Sequence, residues 1–135
     1  MKTPIVLLLT ALLAALTIVK AASNDEAQRS AEAWLALIDS QKYSDSWIES
    51  SSYFRGRVPQ ERWIAMAQGA RGPLGPLASR KFVNVTFAKS LPGAPDGDYA
   101  VLQFQSAFQN KATAIETITL MKDDGKWKTA GYFIK

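Results

Sequence analysis

The chain has 135 residues, 16 Lys and Arg against 12 Asp and Glu, and neither cysteine nor histidine. The missing cysteine excludes disulfides, thiolate metal sites and a lipid-bearing cysteine. The missing histidine excludes Ser-His-Asp and Cys-His nucleophile systems and ordinary zinc chemistry, so no metal or other cofactor is implied and any catalysis would rest on carboxylates, Tyr, Lys or Arg.

Met1-Lys2 opens with positive charge, and Ile5 to Val19 is apolar apart from Thr10 and Thr17. That run, about fifteen residues, is short for a bilayer span and has the pattern of a signal-peptide core. Val19-Lys20-Ala21 places cleavage after Ala21, which makes residues 1–21 a leader and 22–135 one domain. The expected location is therefore periplasmic or secreted, with the membrane touched only through the leader. Without Lys2 and Lys20 the formal charge falls from +4 to about +2, a mixed surface and no nucleic-acid footprint. About 114 residues can bury roughly two-thirds of the surface of their unfolded chain, so stability without staples is reasonable.

Ser23 and Glu26 have capping-box spacing, and Ala27, Ala31, Trp34, Leu35 and Ile38 form one apolar stripe. This predicts a first helix over Asn24 to Ser40. A short second helix follows, capped by Ser44 or Asp45, with Tyr43, Trp47 and Ile48 inward and Ser50-Ser51-Ser52 ending it. Tyr53-Phe54 reads as extended or turn. Pro59 suits a helix start, and Trp63, Met66, Ala67 and Ala70 give a third stripe over Pro59 to Ala70. Gly72 to Pro76 is a loop.

From Arg80 the period becomes two. Val83, Val85 and Phe87 mark a first strand; Leu91 to Asp98 is a long turn; Tyr99 to Phe108 is a second strand, with Ala100, Leu102, Phe104 and Phe108 on one face. Ala112 to Met121 is a third strand, Asp123-Asp124-Gly125 a hairpin turn, and Trp127 to Ile134 a fourth strand, with Trp127 and Phe133 on one face and Tyr132 and Ile134 on the other. Helices first and hairpin-linked strands after predict an α+β fold: three N-terminal helices on a curved four-stranded antiparallel meander.

The chain resembles a family of small exported bacterial proteins, domain of unknown function 4019 (DUF4019). The resemblance rests on Trp34-Leu35, Tyr43, Ser46-Trp47, Phe54, Trp63 and Arg71-Gly72-Pro73-Leu74-Gly75. It continues through Leu91-Pro92-Gly93, Asp96-Gly97-Asp98-Tyr99, Phe104, Phe108, Lys111 and Glu116-Thr117 to Gly125-Lys126-Trp127-Lys128 and Gly131-Tyr132-Phe133-Ile134. Element order is also similar to the nuclear-transport-factor-2-like, or cystatin-like, superfamily, which implies a cone-shaped pocket. That plan usually has a short strand between its second and third helices, for which Tyr53-Phe54 is the candidate here. Neither likeness implies an activity.

Glu116 alternates with Ala114 and Ile118, so it points toward an apolar face, where a carboxylate would have a raised pKa and could serve as general acid or base with Tyr132 or Tyr99. The competing reading pairs it with Lys111, Lys128 or an arginine, or turns it to water. Asp39 and Asp45 are explained by capping and turn chemistry. Arg71 and Arg80 bracket the Gly-Pro-rich loop; they would hold an anionic ligand or pin the loop to Asp39, Glu61 or Glu116. Trp63, Tyr99 and Tyr132 complete the candidate ligand-binding set. No acid–base set converges in the sequence. The expectation is a non-catalytic module binding a small apolar or amphipathic ligand, or an envelope protein, with an isomerase- or hydrolase-like enzyme using Glu116 as the alternative. The sequence leaves oligomeric state open.

Overall fold

A computed structural model describes residues 23–135; the expected leader and its cleavage site lie outside the described residues. Residues 23–39 are helical (α1). The predicted stripe is what this helix buries: Ala27, Ala31, Trp34, Leu35 and Ile38 are each at most 4% exposed. Ser23 is already helical, so it does not act as the cap.

Helix α2 (Tyr43–Ile48) buries Tyr43 and Ser46, half-buries Trp47 and leaves Ile48 exposed. Lys42 is its N-cap, without a side-chain cap, and Asp45 sits in its first turn. The three serines that were read as a terminator start another helix, α3 (Ser52–Arg57), because the Ser51 side chain accepts the Phe54 N–H at 3.1 Å. Tyr53-Phe54 is therefore helical, and the short strand suggested for it is not formed. Val58 is extended ahead of Pro59, as a pre-proline residue must be, and α4 (Gln60–Arg71) follows. Among the described residues the helix count is thus four, not three. Gly72–Leu74 then makes one 3-10 turn.

The strands are β1 (Leu77–Ala88), β2 (Tyr99–Phe108), β3 (Lys111–Asp123) and β4 (Lys126–Ile134), paired antiparallel in chain order. Asp124 and Gly125 both have positive φ, 53° and 75°, between the paired Asp123 and Lys126. That is the backbone a two-residue hairpin of the primed type demands, and Asp-Gly supplies it. On the helix-facing side the register aligns Phe82, Phe104, Glu116 and Ile134 in one row, and Val85, Leu102, Ile118 and Tyr132 in the next. Leu102, Phe104, Ile118 and Leu120 meet Trp34, Leu35 and Ile38 in a filled core. The opposite face presents Gln103, Gln105, Thr117 and Phe133, none of them buried.

Two bulges change which residues point inward. In β1 the register slips between Phe82 and Asn84, so Val83 is 49% exposed and Phe82 takes the inward place. In β4 it slips between Thr129, opposite Leu120, and Gly131, opposite Thr119. The extra residue, Ala130, inverts the alternation. Trp127 consequently shares the helix-facing side with Tyr132 and Ile134, and Phe133 lies alone on the outside at 61% exposed.

Candidate functional site

Among the described residues, four buried or partly buried ionisable side chains converge at the end of the helix–sheet interface. Asp39 closes α1, Arg71 closes α4, Arg80 lies on β1 and Glu116 on β3. Arg80 donates to both Asp39 oxygens, from Nη1 to Oδ2 at 2.7 Å and from Nη2 to Oδ1 at 2.9 Å, and from Nε to Glu116 Oε1 at 2.8 Å. Arg71 Nη2 donates to Asp39 Oδ1 at 2.9 Å. Arg71 Nη1 stands 4.0 Å from Glu116 Oε2, and its guanidinium carbon lies 4.5 Å from the centre of the Phe108 ring. The register explains the rest. Ser106 and Tyr132 each lie one residue row from Glu116 on neighbouring strands, and both hydroxyls donate to its carboxylate.

Two guanidinium groups and two carboxylates therefore balance within a site where Glu116 is 0% and Arg71 5% exposed. Burial pushes the Asp39 carboxyl up, but hydrogen bonds and charge from Arg80, then Arg71, outweigh it and hold the pKa below the ordinary value. Burial pushes the Tyr132 phenol well above its ordinary range, reinforced by the Glu116 charge and hydrogen bond. Such an arrangement clamps helices to sheet. Its oxygens are taken by Arg80, Ser106 and Tyr132, so Glu116 makes the arginine pairing that was the competing reading of its sequence position. Asp39 is likewise no mere cap: it bridges both arginines.

The five candidate ligand residues divide. Arg71, Arg80 and Tyr132 belong to this cluster. Trp63 is 5% exposed, donates from Nε1 to Ser46 Oγ at 2.9 Å and packs on Trp34 and Phe54. Tyr99 lies apart, 1% exposed, its hydroxyl donating to the Pro95 carbonyl. Trp63 and Tyr132 nonetheless share one feature. Both line an open cavity of about 460 Å³ between α4 and β4, with Met66, Ala70, Leu74 and Ile134 among its other walls. The sequence stripe on α4 was wider than the core needs. Trp63 and Ala67 are buried, whereas Met66 at 53% exposed and Ala70 face the groove. A larger cavity, about 610 Å³, lies between α1, α2 and β4, but its walls mix Glu26, Asp45 and Glu49 with Lys126 and Lys128.

Residues 30–132 match the family model described as Protein of unknown function (DUF4019). The chain belongs to the DUF4019 family. No curated protein matches it. The match spans Trp34, Trp63, Arg71, Arg80, Glu116 and Tyr132, and so takes in the ionic cluster and most of the groove of this DUF4019 chain.

Sequence reading missed the buried serines. Ser46, Ser50 and Ser51 are 0% exposed. Ser46 Oγ donates to the Tyr43 carbonyl at 2.6 Å while accepting from Trp63, and Trp34 Nε1 donates to the Ser46 carbonyl at 2.9 Å and to Ser50 Oγ at 3.2 Å. The available signal was chemical: a buried indole needs an acceptor, and serines are the nearest candidates along the chain. A second missed feature is the Gly-Pro loop's anchorage. Gln109 and Asn110 N–H donate to Pro76 and Leu74 carbonyls, both at 2.9 Å, and a Cβ on Gly75 would meet Gln109 Cβ at 3.1 Å.

Proposed function

We propose that this protein is an exported, non-catalytic binding module, and that its binding surface for a small apolar or amphipathic ligand is the groove between α4 and β4. The observation that carries the reading is the pairing of a spent polar site with an unspent apolar one. The ionisable groups that converge are bonded to one another. By contrast Met66, Ala70 and Phe133 stand unburied around a concavity whose size falls in the usual range for small-molecule sites. Exposed apolar side chains around a concave surface need a reason beyond folding, and methionine adapts readily to varied ligands. Export is supported by the leader pattern of the first 21 residues.

The test is titration with N-phenyl-1-naphthylamine, an uncharged apolar dye that brightens when it leaves water. The protein is expected to bind it saturably, and Ala70→Trp, which fills the groove from an exposed position, is expected to weaken binding at least about tenfold. Its unfolding free energy should stay within about 0.5 kcal/mol of wild type. Saturable binding that Ala70→Trp leaves unchanged places the ligand elsewhere and defeats the proposal.

A further inference from the structure

We infer that the ligand of the α4–β4 groove is a single-chain amphiphile with an anionic head, held at the rim by Lys111 and Lys135; this rests on the reading of the groove as the binding surface. Among the described residues the charged side chains that line the cavity are these two lysines. Both lie at strand ends, Lys111 opening β3 and Lys135 following β4, and the N–H and C=O of Lys135 bond to Ile115 at 2.9 and 3.0 Å. The two ammonium groups are thus carried on hydrogen-bonded backbone at one end of the apolar wall. Neither side chain takes part in an ion pair among the described residues. The other walls, Trp63, Met66, Ala70, Leu74 and Ile134, offer carbon surface to an acyl chain. The hydroxyl of Tyr132 is turned away to Glu116. A ligand with an apolar body and negative end satisfies both halves of the groove, whereas a cationic amphiphile would set like charges together.

Calorimetry below the micelle threshold separates the possibilities, with decanoate and decyltrimethylammonium as probes of equal chain length. Decanoate is expected to bind about tenfold more tightly than the cation, the difference shrinking at high salt. Lys111→Glu and Lys135→Glu should each lower decanoate affinity about threefold and raise that of the cation. Equal affinity for the two probes, both lost in Ala70→Trp, overturns the anionic head and leaves the groove reading standing. Binding of neither, with no dye binding, removes the groove reading itself. Sedimentation with phosphatidylglycerol vesicles but no decanoate binding overturns the free amphiphile in favour of a membrane surface.

Discussion

Two buried polar networks join the elements of this protein, and they are built from opposite materials. Around Ser46 the groups are neutral. Trp34, Trp47 and Trp63 each place the indole N–H on a nearby acceptor, Trp47 on the Val58 carbonyl at 2.7 Å, and the whole network spans residues 34 to 63. Around Glu116 the network is built on charged groups and draws on the ends of α1 and α4 and on all four strands. The neutral network leaves its indole donors satisfied, whereas Arg71 Nε and Nη1 are buried without a hydrogen-bond partner. The contrast teaches how each is vulnerable. A neutral network loses what its removed hydrogen bond was worth; a charged one, when cut, strands a charge in low dielectric.

The sharpest way to break the comparison is therefore Glu116→Ala, which leaves Arg80 Nε and the Ser106 and Tyr132 hydroxyls without their acceptor and leaves two buried guanidinium groups facing one carboxylate. It should cost about 3–5 kcal/mol in chemical denaturation, or prevent folding. Ser46→Ala should cost less, about 1–3 kcal/mol, because the groups it leaves without their Ser46 partner, the Trp63 N–H and the Tyr43 carbonyl, are both neutral. A Ser46→Ala cost equal to that of Glu116→Ala would erase the distinction between the two.

The smallest expected effects lie in the pH dependence, where only the charged network should respond. The folded pKa of Asp39 lies below the ordinary carboxyl value of 3.8, so its contribution is present above that pH and is lost as pH falls through the folded value. Tyr132 is shifted upward from 10.0, so its contribution is present below pH 10 and is lost as pH rises beyond it toward the folded value. Stability measured against pH should decline on both flanks. Asp39→Asn should flatten the acid flank and Tyr132→Phe the alkaline one, while Ser46→Ala shifts the whole curve and keeps its shape. An unchanged acid flank in Asp39→Asn would deny that carboxyl its role.

Much of the fold was legible because it is local. The stripe from Ala27 to Ile38, the Asp124-Gly125 turn and the alternation of β2 each follow from a short-range period or a backbone requirement, and each is found where the residues place it. The run Ser50-Ser51-Ser52 does more than follow the end of a helix, because the Ser51 oxygen caps the next one. The bulges at Val83 and Ala130 were invisible, since nothing in a run of alternating residues announces an extra one; only the partner strand does.

The candidate site was legible as parts and not as an assembly. Arg71, Arg80, Glu116 and Tyr132 were identified individually, yet their convergence depends on strand register and on where two helices end. The sequence by itself determined that the described chain is an α+β domain, with helices before strands and no histidine or cysteine chemistry, because composition and periodicity are properties of neighbours along the chain. Only the tertiary structure decided that Glu116 is bound to Arg80 while Met66 and Ala70 are left open beside Tyr132. Which charge finds a partner, and which apolar edge finds none, is settled by contacts between residues far apart in the chain.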